Sequence, residues 1–495
     1  MHRRDALKIV GSAFATSALP GILRGDTPPT AATFTIGRKT IATIPSDFMG
    51  LSYESAQLSN PRFFSASNTE LVKLYRELSP QGVLRTGGNL SAFSVWRDDP
   101  SIPLTDIEKA GIDRGKNYWE WALCDPTIAK GSHEAIFTPA SIEALAGFLN
   151  ATGWKLLYGL NFGTGTPEQA AAEAACVQRL VGKNLIGFQL GNEVDFWTGG
   201  LRSKNWDFDQ YLAQWLEWVR IIRAKGGDTA FAGPDIAVRL DWVEKMAERL
   251  KNEVVLLTGH HYAMGPAGDP QMNAAHLLRP DPEVAKEIVT AQRAKAIAGV
   301  SFRVSECNSC FHGGQPGVSN AYAASLWSAD YILALAQGGH AGVNLHSGGE
   351  GIYSPITGDK DKGFTRQPLY FGMKFAQQFA GVSMLDSTLS VGGSNVTAYA
   401  GYKQDTLLVA IINKEPAQVA IGIAFADLKN ARLVETWKLS APSIDSTRGI
   451  TFAKVDLSST VIHRKESDLF QLEPYTAILA RYSLNRPRFT GDTSG

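Results

Sequence analysis

Ile186-Gly187-Phe188-Gln189-Leu190-Gly191-Asn192-Glu193 is a short apolar run that ends on a glycine, an asparagine and a carboxylate. Its length suits a strand covered on both faces, and it has no polar alternation. Helical patterns flank it, at Pro167–Val181 before and Phe208–Lys225 after. A buried strand between two helices is the repeat unit of a parallel sheet. The same texture extends in both directions. Strand candidates before it are Met49–Tyr53, Gly82–Arg85 and Trp154–Tyr158, and those after it are Ala230–Gly233, Val254–Leu257, Phe302–Ser305 and Gly342–Leu345. Further helical segments read at Asn68–Leu78, Pro139–Ala151, Ala237–Leu250, Asp281–Ile297 and Asn320–Ala336, with Thr138 and Pro139 forming a helix start. Eight strand–helix units over residues 46–380 predict a (β/α)8 TIM barrel of the α/β class. No G-x-G-x-x-G follows the first strand, which counts against a dinucleotide fold.

After about Gly381 the pattern changes to short alternating strands, such as Val396–Ala400 and Thr406–Ile412, separated by turn residues. This predicts a C-terminal β-sandwich over 381–486, with 33–45 adding a strand from the other end of the chain. At the start, Arg3-Arg4 precede a short apolar stretch from Ile9 to Ala18, which resembles a twin-arginine export signal over 1–25. The expected location is periplasmic or secreted. That stretch is too short to span a bilayer, and no later run approaches ~18 apolar residues, so no membrane is expected as a partner.

The 495 residues carry 48 Lys plus Arg and 48 Asp plus Glu, so no overall field draws the chain to nucleic acid. Cys124, Cys176, Cys307 and Cys310 form neither a metal-binding pattern nor a disulfide framework, and the two beside Glu306 read as packing behind a site. No metal and no cofactor are expected.

Function in such barrels lies past the C-terminal ends of the strands. Glu193 stands just past strand four and Glu306 just past strand seven, each behind an apolar run where an unpaired charge is costly. Paired carboxylates suit glycoside cleavage, in which one protonates the leaving oxygen and the other attacks the anomeric carbon. Either glutamate alone could equally be a loop cap or an arginine partner. A carbohydrate-binding protein without activity is the alternative from outside the enzymes.

Asn192-Glu193 and Glu306 resemble the acid/base and nucleophile pattern of the large clan of retaining barrel glycosidases. More narrowly, five ordered stretches resemble glycoside hydrolase family 79, the family of heparanase and microbial β-glucuronidases. They are Leu84–Gly88, Tyr158–Asn161, Leu190–Glu193, Ala232–Asp235 and Gly259–Tyr262, followed by the Glu306 strand with its Gly313-Gly314 loop. The resemblance implies a retaining exo-β-glucuronidase acting on a β-glucuronide. Asn192 would bond the 2-hydroxyl, Tyr262 would hold Glu306, and Glu54 would accept from sugar hydroxyls. The Gly313-Gly314 loop and Tyr353 would hold the uronate. The chain departs from the family in having Glu54 where aspartate is commoner and Phe311-His312 where heparanase has Tyr-Gly. The scattered basic residues past the strands favour the exo enzyme over an endo-acting heparanase type. A xylanase-, glucosylceramidase- or arabinofuranosidase-like enzyme would share the two glutamates. His260 and His261 alternate faces on a strand, so they read as hydrogen-bonding groups of the barrel mouth.

Overall fold

A computed structural model describes residues 32–116, 118, 134–348, 351–426, 431–456, 461–463 and 468–484. The expected export segment at 1–25 and Cys124 lie outside these residues.

Eight parallel strands close into a barrel in chain order: Met49–Glu54, Val83–Gly87, Lys155–Leu160, Leu185–Leu190, Phe231–Ile236, Val254–Met264, Phe302–Cys310 and Gly342–Ser347. All eight expected strands are present. Strands one, two, five, seven and eight are buried at every position, although strands seven and eight alternate apolar with polar residues that turn into the barrel. The helix over Pro167–Val181 begins as its sequence dictates: Thr166 accepts from the Gln169 N–H, and Gln169 reaches back to the Thr166 N–H.

Three local differences from the sequence reading have physical causes. The helix expected from Ala237 begins at Leu240, because the Asp195 carboxylate takes the N–H groups of Ala237, Val238 and Arg239 and holds them as a loop. Helices at Asp106–Gly115 and Pro368–Ala376 were not expected. The second carries Phe371-Gly372-Met373 in a nine-residue run too short for periodicity to declare itself. Finally, Tyr262 and Glu306 lie inside strands six and seven rather than past them. The register between these strands shifts between Val304 and Glu306, a bulge that re-aims the side chains beyond it.

Apart from two small two-stranded pairs, Val95–Trp96 with Ile136–Phe137 and Ile356–Asp359 with Gly363–Arg366, the remaining described strands form one ten-stranded sheet that curls around its own core of Phe34, Ile36, Val409, Ile411, Ile421, Phe470 and Ile478. Ala32–Thr43 joins the two halves, pairing antiparallel with Ser383–Ser390 and parallel with Val419–Phe425. The N-terminal segment therefore closes the domain that the C-terminal strands build. Asp330 of the barrel fastens the two lobes together, accepting from Thr397 and Tyr399 at 2.6 Å and pairing with the buried Lys414.

Two buried arginines fill opposite ends of the barrel. At the N-terminal end, Arg303 donates to Asn344 at 2.6 Å and to the carbonyls of Asp47, Phe48 and Ala341. A Cβ on Gly342 would overlap the Arg303 guanidinium, so only glycine fits there. At the C-terminal end, Arg85 carries the floor of the site.

Candidate active site

An arginine inside an apolar strand must be paired, and Arg85 is paired on every side. Its side chain is fully buried. It donates to Glu306 Oε2 (2.7 Å), Asp235 Oδ2 (2.6 Å), Asn192 Oδ1 (2.8 Å), Gln189 Oε1 (3.1 Å) and Ser52 Oγ (3.2 Å). Asp235 accepts in addition from Ser305 and Gln189. Five strands thus contribute to one polar layer across the barrel, each side chain fixed by the next.

Above this layer opens a cavity of about 500 Å³, lined among others by Glu54, Asn89, Glu193, His260, Tyr262, Glu306, His346 and Tyr353. Glu193 and Glu306 face each other across it, with a carboxylate oxygen of each within 4.8 Å of the other. Their surroundings drive their acidities apart. Burial pushes Glu193 up, aided by the nearby Glu306 and Asp195 carboxylates, and the His260 hydrogen bond (3.1 Å) only partly opposes this. Burial also acts to raise Glu306, but His346, His260 and Arg85 around it and the Tyr262 hydroxyl (2.8 Å) prevail and hold it at about 2. One carboxyl is thus prepared to keep a proton and the other to stay ionised.

Glu193 sits in left-handed backbone (φ 49°), as does Asp235 (φ 60°), an uncommon conformation for residues with a Cβ. The Glu193 N–H donates to the Asp235 carbonyl at 2.8 Å. With the Asp195 clasp, this bond ties the loops after strands four and five together and sets the direction of Glu193.

The other expected residues fall in three groups. Tyr262, Glu54 and Tyr353 line the cavity, and Glu54 also accepts from the Leu90 N–H (2.9 Å). Asn192 lies one layer below: its amide donates to Asn89 Oδ1 (3.0 Å), and Asn89 is the side chain that reaches the cavity. Gly313 and Gly314 stand behind the wall, where Gly314 packs so close to Tyr353 and Ser319 that a Cβ would meet them at 2.9 Å. Phe311 and His312 face the cavity from that loop. The sequence reading assigned no role to Arg85, Asp235, Asn89 or His346. Arg85 and Asp235 left a signal, each a charge in or at the end of a strand candidate and within a family-like stretch.

Glu193, His260 and Glu306 each offer a donor atom within 4.8 Å of the others, the spacing of a cation site. Burial disfavours a charged His260, but Asp235 (3.2 Å from Nε2) and Glu306 outweigh it and hold the imidazolium proton up to about 10. Because this pKa lies above the ordinary 6.5, the stabilisation from His260 is fully present below pH 6.5 and is lost as pH rises through about 10. The gap in melting temperature between wild type and His260→Gln is therefore expected to narrow across that window. Parallel melting curves from pH 6.5 to 10 would show that His260 is not charged in the fold.

No family model matches the sequence. Among curated proteins the chain is similar to a β-glucuronidase of Aspergillus niger, 24% identical over 373 residues, covering 66% of this chain and 68% of that one. A β-glucuronidase of Neurospora crassa is 27% identical over 356 residues, covering 65% and 60%. Heparanase-like protein 3 of Arabidopsis thaliana is 22% identical over 445 residues, covering 80% and 76%. Among solved structures, a 4-O-α-L-rhamnosyl-β-D-glucuronidase from Fusarium oxysporum superposes with a TM-score of 0.68 at 18% identity, over 90% of this chain and 99% of that one. A family 51 arabinofuranosidase from Xanthomonas axonopodis pv. citri gives 0.67 at 15% identity, over 91% and 100%. The barrel with its curled β-domain is shared with these enzymes, and the chain is a glycoside hydrolase of the barrel class. Its sequence relatives, at 22–27% identity, are two β-glucuronidases and a heparanase-like protein, the kinds of enzyme that the family 79 resemblance implies.

Proposed function

We propose that this enzyme is a retaining exo-β-glucuronidase with Glu306 as nucleophile and Glu193 as acid/base. The observation that carries the reading is the pair itself: opposed carboxylates within 4.8 Å, one pushed up and one held at about 2. Retaining enzymes need about 5–5.5 Å between the carboxyl groups, and inverting ones need room for a water. Glu306 attacks the anomeric carbon while Glu193 gives its proton to the leaving oxygen. Glu193, now ionised beside His260, then takes a proton from the water that releases the sugar. Arg85 and Tyr262 keep the charge of Glu306 aimed and available.

The β-glucuronide assignment draws support from the names of the two fungal relatives and from His312 and Tyr353 at the cavity wall, where a C6 carboxylate would find donors. Exo action on a small substrate is favoured because no Lys or Arg is among the described residues lining the cavity, whereas Asp281, Glu283 and Glu287 are. A sulfated or uronate-rich polymer would meet repulsion there. With the twin-arginine-like segment at Arg3-Arg4, the reaction is assigned to the periplasm or the medium.

Proton NMR of the first product should show the β-anomer, later mutarotating. On p-nitrophenyl glycosides, glucuronide should exceed glucoside and xyloside in kcat/KM by at least about a hundredfold, since the glucoside lacks the carboxylate that would pair with these donors. An α-anomer first would overturn retention, and equal rates on glucoside and glucuronide would overturn the uronate assignment alone.

A further inference from the structure

The acid that protonates a leaving group must lie against it, so the neighbours of Glu193 form the wall that the leaving group touches. Those neighbours are apolar. Phe196 follows Glu193 by three residues in the short 3-10 turn Val194–Phe196, and it lines the cavity together with Ala237, Val238 and Leu240 from the loop after strand five. Phe196 and Val238 are each 60% exposed, unusual for large apolar side chains in a molecule whose other phenylalanines are mostly interior.

The backbone of this wall is equally poor in donors. The N–H groups of Ala237, Val238 and Arg239 all end on Asp195 at 2.8–2.9 Å, and the Leu240 N–H goes to the Val238 carbonyl. A sugar in this place would bring hydroxyl oxygens to a wall whose backbone N–H groups are already taken, which costs binding. The same cavity carries Asp281, Glu283 and Glu287 without a lysine or arginine among its described lining residues, so an anionic leaving group is disfavoured as well. An exposed phenylalanine ring beside an aliphatic rim instead suits a flat apolar ring, by area and by stacking geometry.

We propose that Phe196, Val238 and Leu240 form a leaving-group platform for an uncharged aryl aglycone, making aryl β-glucuronides rather than glucuronate-bearing saccharides the preferred substrates. The inference rests on the glycosidase reading above, with Glu193 as the acid. Asp195 is the positioning residue that holds the platform against the turn carrying Glu193.

The test is binding, because it removes the difference in leaving-group acidity between substrates. In the Glu306→Gln background, calorimetry would compare phenyl β-glucuronide, 2-naphthyl β-glucuronide and a disaccharide of glucuronate β-linked to galactose. The naphthyl compound is expected to bind roughly tenfold tighter than the phenyl one, the factor an added buried ring gives. Both should bind more tightly than the disaccharide. Adding Phe196→Ala should bring the naphthyl-to-phenyl ratio close to one, and Phe196→Trp should keep it. Because Phe196 lies on the surface, neither change disturbs the core. A ratio near one in the parent, a ratio unmoved by Phe196→Ala, or a disaccharide as tight as the naphthyl compound would overturn the platform. The same aryl pair as β-glucosides separates the two readings. A naphthyl preference there with no glucuronide binding would sustain the platform and remove only the sugar assignment.

Discussion

Glu306→Gln is expected to reduce kcat/KM on every β-glycoside by a factor on the order of 10⁴–10⁶, whatever the leaving group, because no covalent intermediate can form without the carboxylate. Glu193→Ala should behave differently. On substrates whose leaving group needs no proton, glycosyl transfer to Glu306 should remain within about tenfold of wild type, while hydrolysis of the intermediate slows by roughly 10²–10⁴. Azide should restore turnover in Glu193→Ala, since it attacks the intermediate without a general base, and the product should be the β-glycosyl azide. The pH profile supplies an independent check on the assignment. Glu306 is ionised down to about pH 2, so activity should persist far into acid as long as the fold does. Glu193 has its pKa raised and must be protonated to act, so activity should fall on the alkaline side as Glu193 loses its proton. In Glu193→Gln, assayed on an activated aryl substrate, that alkaline limb should be missing. Azide rescue of Glu306→Gln instead, giving the β-azide, would mean the two roles are exchanged. Equal and unrescuable losses in both variants would end the double-displacement reading.

The barrel was legible because its strands are buried on both faces. Short, largely apolar runs such as Ile186–Leu190 and Val254–Leu257 suit strands covered on both faces, and a start such as Thr138-Pro139 marks where a helix between strands begins. The two glutamates were legible for a related reason, since a charge following such a run must be solvated, paired or functional. What could not be read is the third dimension of the polar layer. Gln189, Asp235, Thr258 and Ser305 come from separate strands, and all but Asp235 are unremarkable in their own sequence neighbourhoods. Their meaning lies in meeting one another, which strand register alone decides. Strands six and seven illustrate the limit: they pair on to Met264 and Cys310, past a register shift between Val304 and Glu306, so Tyr262 and Glu306 lie within them rather than beyond. Asn192 and Asn89 illustrate it again. Sequence reading favours the asparagine adjacent to the acid, whereas packing spends Asn192 on Arg85 and passes the cavity contact to Asn89.

Arg85→Met is expected to destabilise the fold by about 3–5 kcal/mol and to remove most activity at neutral pH, a double loss that follows from one charge. The guanidinium sits between two carboxylates at 2.6 and 2.7 Å and is itself fully buried. Methionine fills similar volume but leaves Asp235 and Glu306 facing each other without compensation, apart from the histidines above them. Such groups respond by taking up protons. Asp235 is now held well below the ordinary carboxylate range by Arg85 and His260 against the pull of burial, and Glu306 at about 2, so both should titrate higher in the variant. The sign for catalysis is then fixed. A protonated Glu306 cannot attack, so the acid limb of kcat/KM should move toward neutrality and activity should recover in part as pH rises. Arg85→Lys should fall between, because an ammonium keeps the charge but cannot reach Glu306, Asp235, Asn192, Gln189 and Ser52 together. Adding Asp235→Asn to Arg85→Met should return some stability by removing one of the orphaned charges, a non-additive result expected of contacting residues. It should not return activity, since Glu306 still lacks its partner. Urea unfolding of the four proteins and their kcat/KM profiles from acid to neutral pH measure both effects. An Arg85→Met enzyme that loses less than about 1 kcal/mol, or keeps the wild-type acid limb, would show that the polar layer neither supports the barrel nor tunes its nucleophile.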